Sequence, residues 1–269
     1  MFFTRLISGI IVLAIAVVVM LLGGDILFLF TMAVSLIGIY ELYKASGIEK
    51  TRLAWMGYAG TVIYDLVMRL MPGNELMAAA VAVLMIMSFY VFSFPKYKAH
   101  EAFCALSGIL YVTVLMSFIY KVRILPDGLY VIPMIFICAW GNDTCAYCVG
   151  MLFGKHKMFP VLSPKKSVEG FAGGIAGAAL IGLIYGLVFG GNLSSLSNPP
   201  VFCMIIGAAG ALIAVVGDLS ASAIKRDTGI KDYGNLIPGH GGILDRFDSI
   251  LFTAPVVYIL AVVLSRFSF

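Results

Sequence analysis

The chain has 269 residues, of which 61% are hydrophobic and 12% are charged, and its mean hydropathy is +1.03. This composition excludes an ordinary soluble domain, because the apolar runs are far longer than a soluble core requires. The net charge is only +4, and we expect no nucleic-acid partner. The composition therefore predicts a protein that is embedded among membrane lipids.

Nine apolar runs are long enough to cross the hydrocarbon core as helices, which takes about 20 residues each. They lie near residues 6–23, 26–42, 53–71, 75–94, 102–120, 129–153, 169–190, 200–220 and 244–264. The first run resembles a signal peptide, but its only A-x-A, Ala14 to Ala16, lies in the middle of the run. We therefore interpret it as a retained span and predict an all-α polytopic membrane protein.

The basic residues favour one orientation. If the N-terminus is cytoplasmic, all but four of the 18 basic residues lie on the cytoplasmic side. By the positive-inside rule we expect nine spans, an internal N-terminus and an external C-terminus. The two large polar loops, 154–168 and 221–243, then share the cytoplasmic face of a bacterial-type inner membrane, the cell membrane.

Polar residues are concentrated in the second half of the chain. We treat residues 1–269 as a single membrane domain, with scaffold helices in 1–128 and catalytic helices and cytoplasmic loops in 129–269. The seventh run has a small residue at every fourth position: Gly170, Gly174, Ala178, Gly182, Gly186 and Gly190. This stripe predicts close helix packing rather than a substrate groove. Cys145 and Cys148 have C-x-x-C spacing inside a span, which also favours helix packing over a zinc site.

The first polar cluster surrounds the end of the sixth run. Asp143 lies about ten residues before the loop, a depth at which a carboxylate is costly, so we expect it to face a protein interior or wet cavity. The following loop is basic: it contains Lys155, His156, Lys157, Lys165 and Lys166. Ordinary positive-inside charge explains this loop as well as a site does. Ser167 is predicted to cap the next helix.

The second and third clusters lie near the C-terminus. Asp218, Ser222 and Lys225 have the spacing of one helix face. Asp245 and Asp248 are three residues apart at the mouth of the last run. The sequence PGHGG before them contains too much glycine and proline for a helix, and predicts a tight loop whose backbone N–H groups approach a ligand.

Carboxylates from three helix ends, near Asp143, Asp218 and Asp245, converge only if something offsets their repulsion. A divalent metal does so, and oxygen ligands of this kind suit Mg²⁺. Lysines and arginines alternate with these carboxylates. Acidic side chains that can bind a metal, next to basic side chains that can bind phosphate, are typical of a phosphoryl-transfer site.

Residues 222–248 also form a long motif, Ser222-x-x-Lys225-Arg226-x4-Lys231-Asp232-x-Gly234-x2-Ile237-Pro238-x-His240-Gly241-Gly242-Ile243-x-Asp245-Arg246-Phe247-Asp248. It resembles the signature of the phosphatidate cytidylyltransferases, also called CDP-diacylglycerol synthases, without departure from the pattern. The upstream stretches DTCAYCVGMLFGKHK and SPKKSVEG are similar to that family too. The likeness covers the chain, and its specificity lies in residues 140–250.

The resemblance implies a reaction of CTP with phosphatidate that gives CDP-diacylglycerol and pyrophosphate, depends on Mg²⁺ and serves phospholipid biosynthesis. It implies Asp218 and Asp245 as metal ligands, supported by Asp143 and Asp248. A second cation such as K⁺ is compatible, as is a homodimer. The implied catalytic residues are Asp218, Asp245, Asp248, Lys166, Lys225 and Arg226. The implied substrate-binding residues are Lys165, Lys166, Ser222, Lys225, Arg226, Lys231, His240, Gly241, Gly242 and Arg246.

This chemistry needs no nucleophilic side chain. A phosphate monoester with a second pKa of about 6 is largely dianionic at neutral pH, so a phosphatidate oxygen itself attacks the α-phosphorus of CTP. No general base is required. We therefore interpret His240 as a donor to phosphate or as a loop anchor.

Two other functions remain open on the sequence. A CTP-dependent kinase of a polyprenol-type lipid alcohol would use similar residues but would transfer the γ-phosphate and release CDP. An ion-coupled transporter or channel would use Asp143 as its ion site. The transporter is disfavoured because the charges crowd at the cytoplasmic ends and the first five runs offer few partners for a conduction path.

Overall fold

The computed structural model describes the backbone of residues 2–266 and the side chains of residues 7–266. The α-helices are α1 Phe2–Leu22, α2 Gly24–Ala45, α3 Arg52–Leu70, α4 Glu75–Phe92, α5 Ala99–Ser107, α6 Leu115–Arg123, α7 Gly128–Val131, α8 Pro133–Phe136, α9 Asn142–Phe153, α10 Val168–Phe189, α11 Pro199–Asp227 and α12 Leu244–Leu264. Two π-helical segments, Gly108–Val114 and Ile137–Gly141, and a 3₁₀ turn, Gly190–Asn192, continue these helices. A small antiparallel hairpin is formed by β1, Lys157–Phe159, and β2, Ser163–Ser167.

Within the described residues, seven helical segments are long and apolar enough to cross a membrane. They are Gly24–Ala45, Glu75–Phe92, Ala99–Arg123, Gly128–Phe153, Val168–Asn192, Pro199–Asp227 and Leu244–Leu264. The chain is therefore an all-α polytopic membrane protein. The other two predicted spans are also helical but fall outside this set. Helix α3 carries Arg52, Asp65 and Arg69, and the described apolar part of α1 is only Ile7–Leu22.

Both predicted cytoplasmic loops have more regular structure than the sequence indicated. Helix α11 continues to Asp227, so the predicted loop 221–243 begins seven residues too early and is irregular only from residue 228. The helix continues because residues 218–228 contain no glycine or proline, and the next glycine, Gly229, has a φ of 70°. Lys225 and Arg226 also favour a helix C-terminus through its dipole. The basic loop 154–168 contains the β1–β2 hairpin.

The contacts divide the chain into two compact units. The first contains residues 1–117 and 228–246, and the second contains residues 118–227 and 247–269. The sequence-based division after residue 128 follows chain order and assigns 228–246 to the catalytic part. In the structure that segment packs with the N-terminal helices, for example Leu244 against Gly38 of α2.

The first unit is built around the C-terminal end of α2. Tyr43 is completely buried, and its hydroxyl donates to the carbonyl oxygen of Ala105 at 2.6 Å. Its ring occupies the space that a Cβ atom at Gly57 or Gly108 would need. The absence of side chains at these two glycines therefore lets α3 and the first π-helical segment close onto α2, which fixes this end of the helix.

In the second unit, the stripe of small residues holds α10 between α9 and α11. A Cβ atom at Gly182 would overlap the carbonyl oxygen of Cys203, and one at Gly170 would meet the carbonyl oxygen of Ala146 at 2.8 Å. Backbones therefore approach closely on both sides of α10, which confirms the prediction of helix packing. Cys145 likewise packs against Gly177 of α10, as expected for a small packing residue.

Candidate active site

An ion pair joins the two polar clusters of the second unit. Lys166 in β2 places its Nζ atom 2.5 Å from Oδ2 of Asp218 on α11. Both side chains are about a third exposed or less, at 27% and 30%. The buried Nζ atom lacks hydrogen-bond geometry, so the contact is an ion pair rather than a directed hydrogen bond. Lys166, which was predicted to bind phosphate, and Asp218, which was predicted to bind the metal, therefore neutralise each other's charge.

Asp248 lies beside this pair. It is nearly buried, with 9% exposure, and its carboxylate is within electrostatic reach of Asp218, Lys225 and Asp143. The backbone of Asp248 lies close to α11 at Gly217, where a Cβ atom would meet the carbonyl oxygen of Asp248 at 2.7 Å. The second unit therefore gathers three carboxylates and two lysines, which we call the charged cluster.

A cavity of about 390 Å³ adjoins the charged cluster. Its polar wall contains Asp143, Lys165 and Lys166. The remaining walls are largely apolar and include Tyr147, Met151, Met158, Phe171 and Val215. The prediction that Asp143 faces a cavity is confirmed. Asp143 also lies two residues after the end of the π-helical segment Ile137–Gly141, and such segments occur frequently at functional sites.

Helix α11 of the second unit carries the polar face that the sequence predicted. Because α11 is uninterrupted from Pro199 to Asp227, Asp218, Ser222 and Lys225 lie on one side of it. Ser222 and Lys225 are half-buried, whereas Arg226 is exposed. The prediction of a shared face is therefore confirmed.

The hairpin that carries Lys165 and Lys166 is anchored at the start of α10. Ser167 caps the helix, and its hydroxyl oxygen accepts from the N–H of Gly170 at 3.1 Å, as predicted. Glu169 accepts from the N–H of Lys155 at 3.1 Å and pairs with Nδ1 of His156 at 2.6 Å. These contacts fix both ends of the basic segment.

In the first unit, residues 228–243 form what we call the signature loop. Gly239 and Gly241 have φ values of 77° and 87°, which L-residues with side chains rarely adopt. The N–H of Ile237 donates to the carbonyl of Gly241 and that of His240 to the carbonyl of Ile237, both at 2.9 Å. The tight backbone loop predicted from PGHGG is confirmed.

Asp245 fastens this loop from the first turn of α12. Its Oδ2 atom accepts from the N–H groups of Tyr233 at 2.8 Å and Gly242 at 3.0 Å. Asp245 therefore has a structural role in addition to its predicted role as a metal ligand.

His240 is tied to the N-terminal helix. Its Nδ1 atom lies 2.8 Å from Oγ of Ser8, and that hydroxyl donates to the carbonyl of Pro238 at 3.0 Å. Because a hydroxyl has one proton, the bond between Ser8 and His240 must then be donated by Nδ1. This contact ties the ring to α1, which supports the interpretation of His240 as a loop anchor. The main chain of His240 also accepts from Nε of Arg246 at 2.9 Å.

The sequence matches the cytidylyltransferase family over residues 3–264. It is 33% identical over 266 residues to the phosphatidate cytidylyltransferase of Staphylococcus haemolyticus (strain JCSC1435), covering 96% of this chain and 98% of the relative. The proteins of the same name from Staphylococcus aureus (strain COL) and Staphylococcus epidermidis (strain ATCC 35984) also show 33% identity with the same coverage. The chain belongs to the cytidylyltransferase family.

The site residues expected for this family fall into the two units. The second unit contains Asp143, Lys165, Lys166, Asp218, Ser222, Lys225, Arg226 and Asp248. The first unit contains Lys231, His240, Gly241, Gly242, Asp245 and Arg246. The charged cluster and the signature loop are therefore the parts of this cytidylyltransferase-family chain in which the structure brings predicted residues together.

Two further residues at these sites were missed by the sequence analysis. Ser8 contacts His240, and Glu41 accepts hydrogen bonds from the signature loop. Each is separated from its partner by more than 200 residues, and each lies in an apolar run. The sequence offered a signal only for Glu41, which is an acidic residue inside the apolar run near residues 26–42.

The donor set of the charged cluster suits a hard cation. Among the residues described, no three His, Cys, Asp or Glu side chains are grouped closely enough to hold a metal by themselves. Mg²⁺ does not need such a cage, because it usually retains water and binds one or two carboxylates together with substrate phosphates. Asp218 and Asp248, with Asp143 nearby, fit that requirement.

Proposed function

We propose that this chain is a phosphatidate cytidylyltransferase, which transfers the cytidylyl group of CTP to phosphatidate and releases pyrophosphate in phospholipid biosynthesis. The observation that carries the proposal is the charged cluster, two of whose members, Asp143 and Lys166, line a cavity that is otherwise largely apolar. Lysines suit the phosphates of both substrates, carboxylates suit a cation, and apolar walls suit a lipid. The names and full-length coverage of the relatives support the same activity.

Mg²⁺ is the cofactor that we propose for this reaction. Asp218 and Asp248 would hold it, with Asp143 as a supporting carboxylate. When bound, the ion would draw negative charge from the α-phosphate and the departing pyrophosphate. The sequence-based prediction that Asp245 shares this ion stays a prediction, as does a second cation such as K⁺.

The residues of the chain would contribute by positioning and by charge. Lys165 and Lys166 bind phosphate, and the ion pair with Asp218 holds Lys166 in place before the substrates arrive. The phosphate of phosphatidate is its own nucleophile, so no side chain needs to remove a proton. This agrees with the position of His240 in the signature loop, where its Nδ1 atom is hydrogen-bonded to Ser8 of α1.

Lys166→Ala is expected to lower kcat/KM for CTP by about ten-fold or more, because a charge-assisted phosphate contact contributes about 1.5–3 kcal/mol. Steady-state kinetics of the purified variants measure this. Lys96→Ala is the matched control, since Lys96 is exposed, belongs to the other unit and lies outside both sites. Equal losses in both variants would mean that general surface charge is being measured.

We further propose that the protein lies in the cell membrane with nine spans and a cytoplasmic N-terminus. Single cysteines introduced into residues 154–166 and 229–243, in a cysteine-free background, should react with a membrane-impermeant thiol reagent only from the cytoplasmic side. Both segments must meet CTP, which is a cytoplasmic nucleotide. Labelling of either segment in intact cells from outside would contradict the orientation.

The activity itself is tested with purified protein in lipid vesicles that contain phosphatidate, after addition of CTP and Mg²⁺. We expect CDP-diacylglycerol and pyrophosphate in equal amounts. Omission of phosphatidate should abolish both products. Release of CDP with a newly phosphorylated lipid would instead indicate the CTP-dependent lipid kinase.

A further inference from the structure

Glu41 is a buried acid on α2 that the proposed chemistry does not use. Its side chain is 4% exposed, although it lies inside an apolar helix. Oε1 accepts from the N–H of Ile243 at 2.9 Å, and Oε2 accepts from the N–H of Leu244 at 2.8 Å. Both oxygens are therefore committed to the segment that leads from the signature loop into α12.

These bonds satisfy groups that α12 cannot satisfy itself. The first N–H groups of a helix have no partner within the helix, and Leu244 is the first residue of α12. A carboxylate at this end also interacts favourably with the helix dipole. Glu41 thus acts as a cap that comes from another helix, about 200 positions earlier in the chain.

Two glycines of the signature are explained by the same carboxylate. A Cβ atom at Gly234 would meet Oε1 of Glu41 at 2.5 Å, and one at Gly242 would meet Oε2 at 2.5 Å. Neither glycine is among the residues with positive φ, so neither is required by backbone conformation. They are required because Glu41 occupies the space that their side chains would fill.

Glu41 and Asp245 together fix one turn of backbone. Asp245 binds the N–H of Gly242, and Glu41 binds those of the next two residues, Ile243 and Leu244. Three successive N–H groups are thus held by two carboxylates. Since Asp245 follows directly, a loose turn would also let its carboxylate move.

We propose that Glu41 is a positioning residue of the reaction: it holds the turn 242–244, and through that turn the Asp245 carboxylate, without touching substrate. The inference rests on the proposed function for its kinetic consequence, whereas its structural part stands independently. Tyr43, anchored two residues later through Ala105, keeps this end of α2 in place.

The test compares Glu41→Ala and Glu41→Gln with Asp65→Asn. Asp65 is the matched control because it is equally buried, at 3% exposure, and belongs to the same unit but makes no described contact with the signature loop. Hydrogen–deuterium exchange followed by mass spectrometry reports on a peptide covering residues 240–246. We expect exchange at Ile243 and Leu244 to become about ten-fold faster or more in Glu41→Ala, with a smaller change in Glu41→Gln.

Steady-state kinetics supply the second readout. In Glu41→Gln, kcat for CDP-diacylglycerol formation should fall about ten-fold, while KM for CTP changes less than about three-fold, because Glu41 contacts no substrate. Asp65→Asn should leave the exchange of the loop and kcat unchanged. If Glu41→Ala does not fold, the nearly isosteric Glu41→Gln decides the question.

Unchanged loop exchange in the Glu41 variants would overturn the proposal, as would faster exchange with the kcat of the wild type. Faster exchange spread over the whole protein would also overturn it, since that result would indicate a general loss of stability. A wild-type protein that forms no CDP-diacylglycerol refutes the proposed function instead, and the exchange data then still decide whether Glu41 holds the turn.

Discussion

Asp218→Asn and Asp248→Asn, which remove the two carboxylates that we propose to hold Mg²⁺, should each lower the formation of CDP-diacylglycerol by several orders of magnitude. Asparagine keeps the size of aspartate but removes the charge that would neutralise Mg²⁺, and loss of one preorganised electrostatic group costs on the order of 10³-fold in rate. The double variant should be scarcely worse than either single variant, because removal of one ligand already disables a shared ion. Rates of the three purified variants at fixed Mg²⁺ measure this.

Asp25→Asn provides the control for these carboxylates. Asp25 is exposed and pairs with Arg69 at 2.7 Å, outside the charged cluster and the signature loop, so its rate should match the wild type. Losses that simply multiply in the double variant would show that the two carboxylates act independently. High activity in either single variant would indicate that this aspartate has only a structural role. For Asp218 that role would be its ion pair with Lys166.

Gly182→Val should destabilise the second unit more than any surface change. A Cβ atom at this position would overlap the carbonyl oxygen of Cys203, and a backbone atom cannot rotate away as a side chain does. Overpacking typically costs about 1–3 kcal/mol, and we expect the upper end of that range. Thermal unfolding in detergent should show a midpoint lower by roughly 5–10 °C.

Gly191→Val is the matched control for that substitution. It lies in the 3₁₀ turn that follows α10, and nothing stands within 4 Å of the Cβ atom that it would gain. Its unfolding midpoint should stay within about 2 °C of the wild type, since surface substitutions usually have small effects. Equal midpoints for the two variants would contradict the close packing of α10 against α11.

Local patterns predicted much of the fold. The length of the apolar runs located every long helix of the described residues, and Ser167 was identified as an N-cap because capping depends on residues three positions apart. The end of α11 was misplaced, because polarity indicates where the hydrocarbon ends rather than where a helix ends. Ser222 and Lys225 are polar and still helical.

The site was predictable only where its residues are close in sequence or polar in an apolar setting. The signature indicated Asp245, and the depth of Asp143 indicated a cavity, which the structure contains. The ion pair between Lys166 and Asp218 and the cap from Glu41 were not predictable. Both depend on contacts between segments that are distant in the chain, and neither leaves a spacing pattern that a single sequence displays.

The proposed cytidylyl transfer is tested most directly by following the phosphorus atoms of CTP. Purified protein in vesicles containing phosphatidate is given Mg²⁺ and CTP labelled with ³²P at either the α or the γ position. We expect the α label to enter the lipid fraction and the γ label to appear in pyrophosphate. Transfer of the γ label to lipid, with the α label retained in CDP, would contradict cytidylyl transfer and establish a lipid kinase.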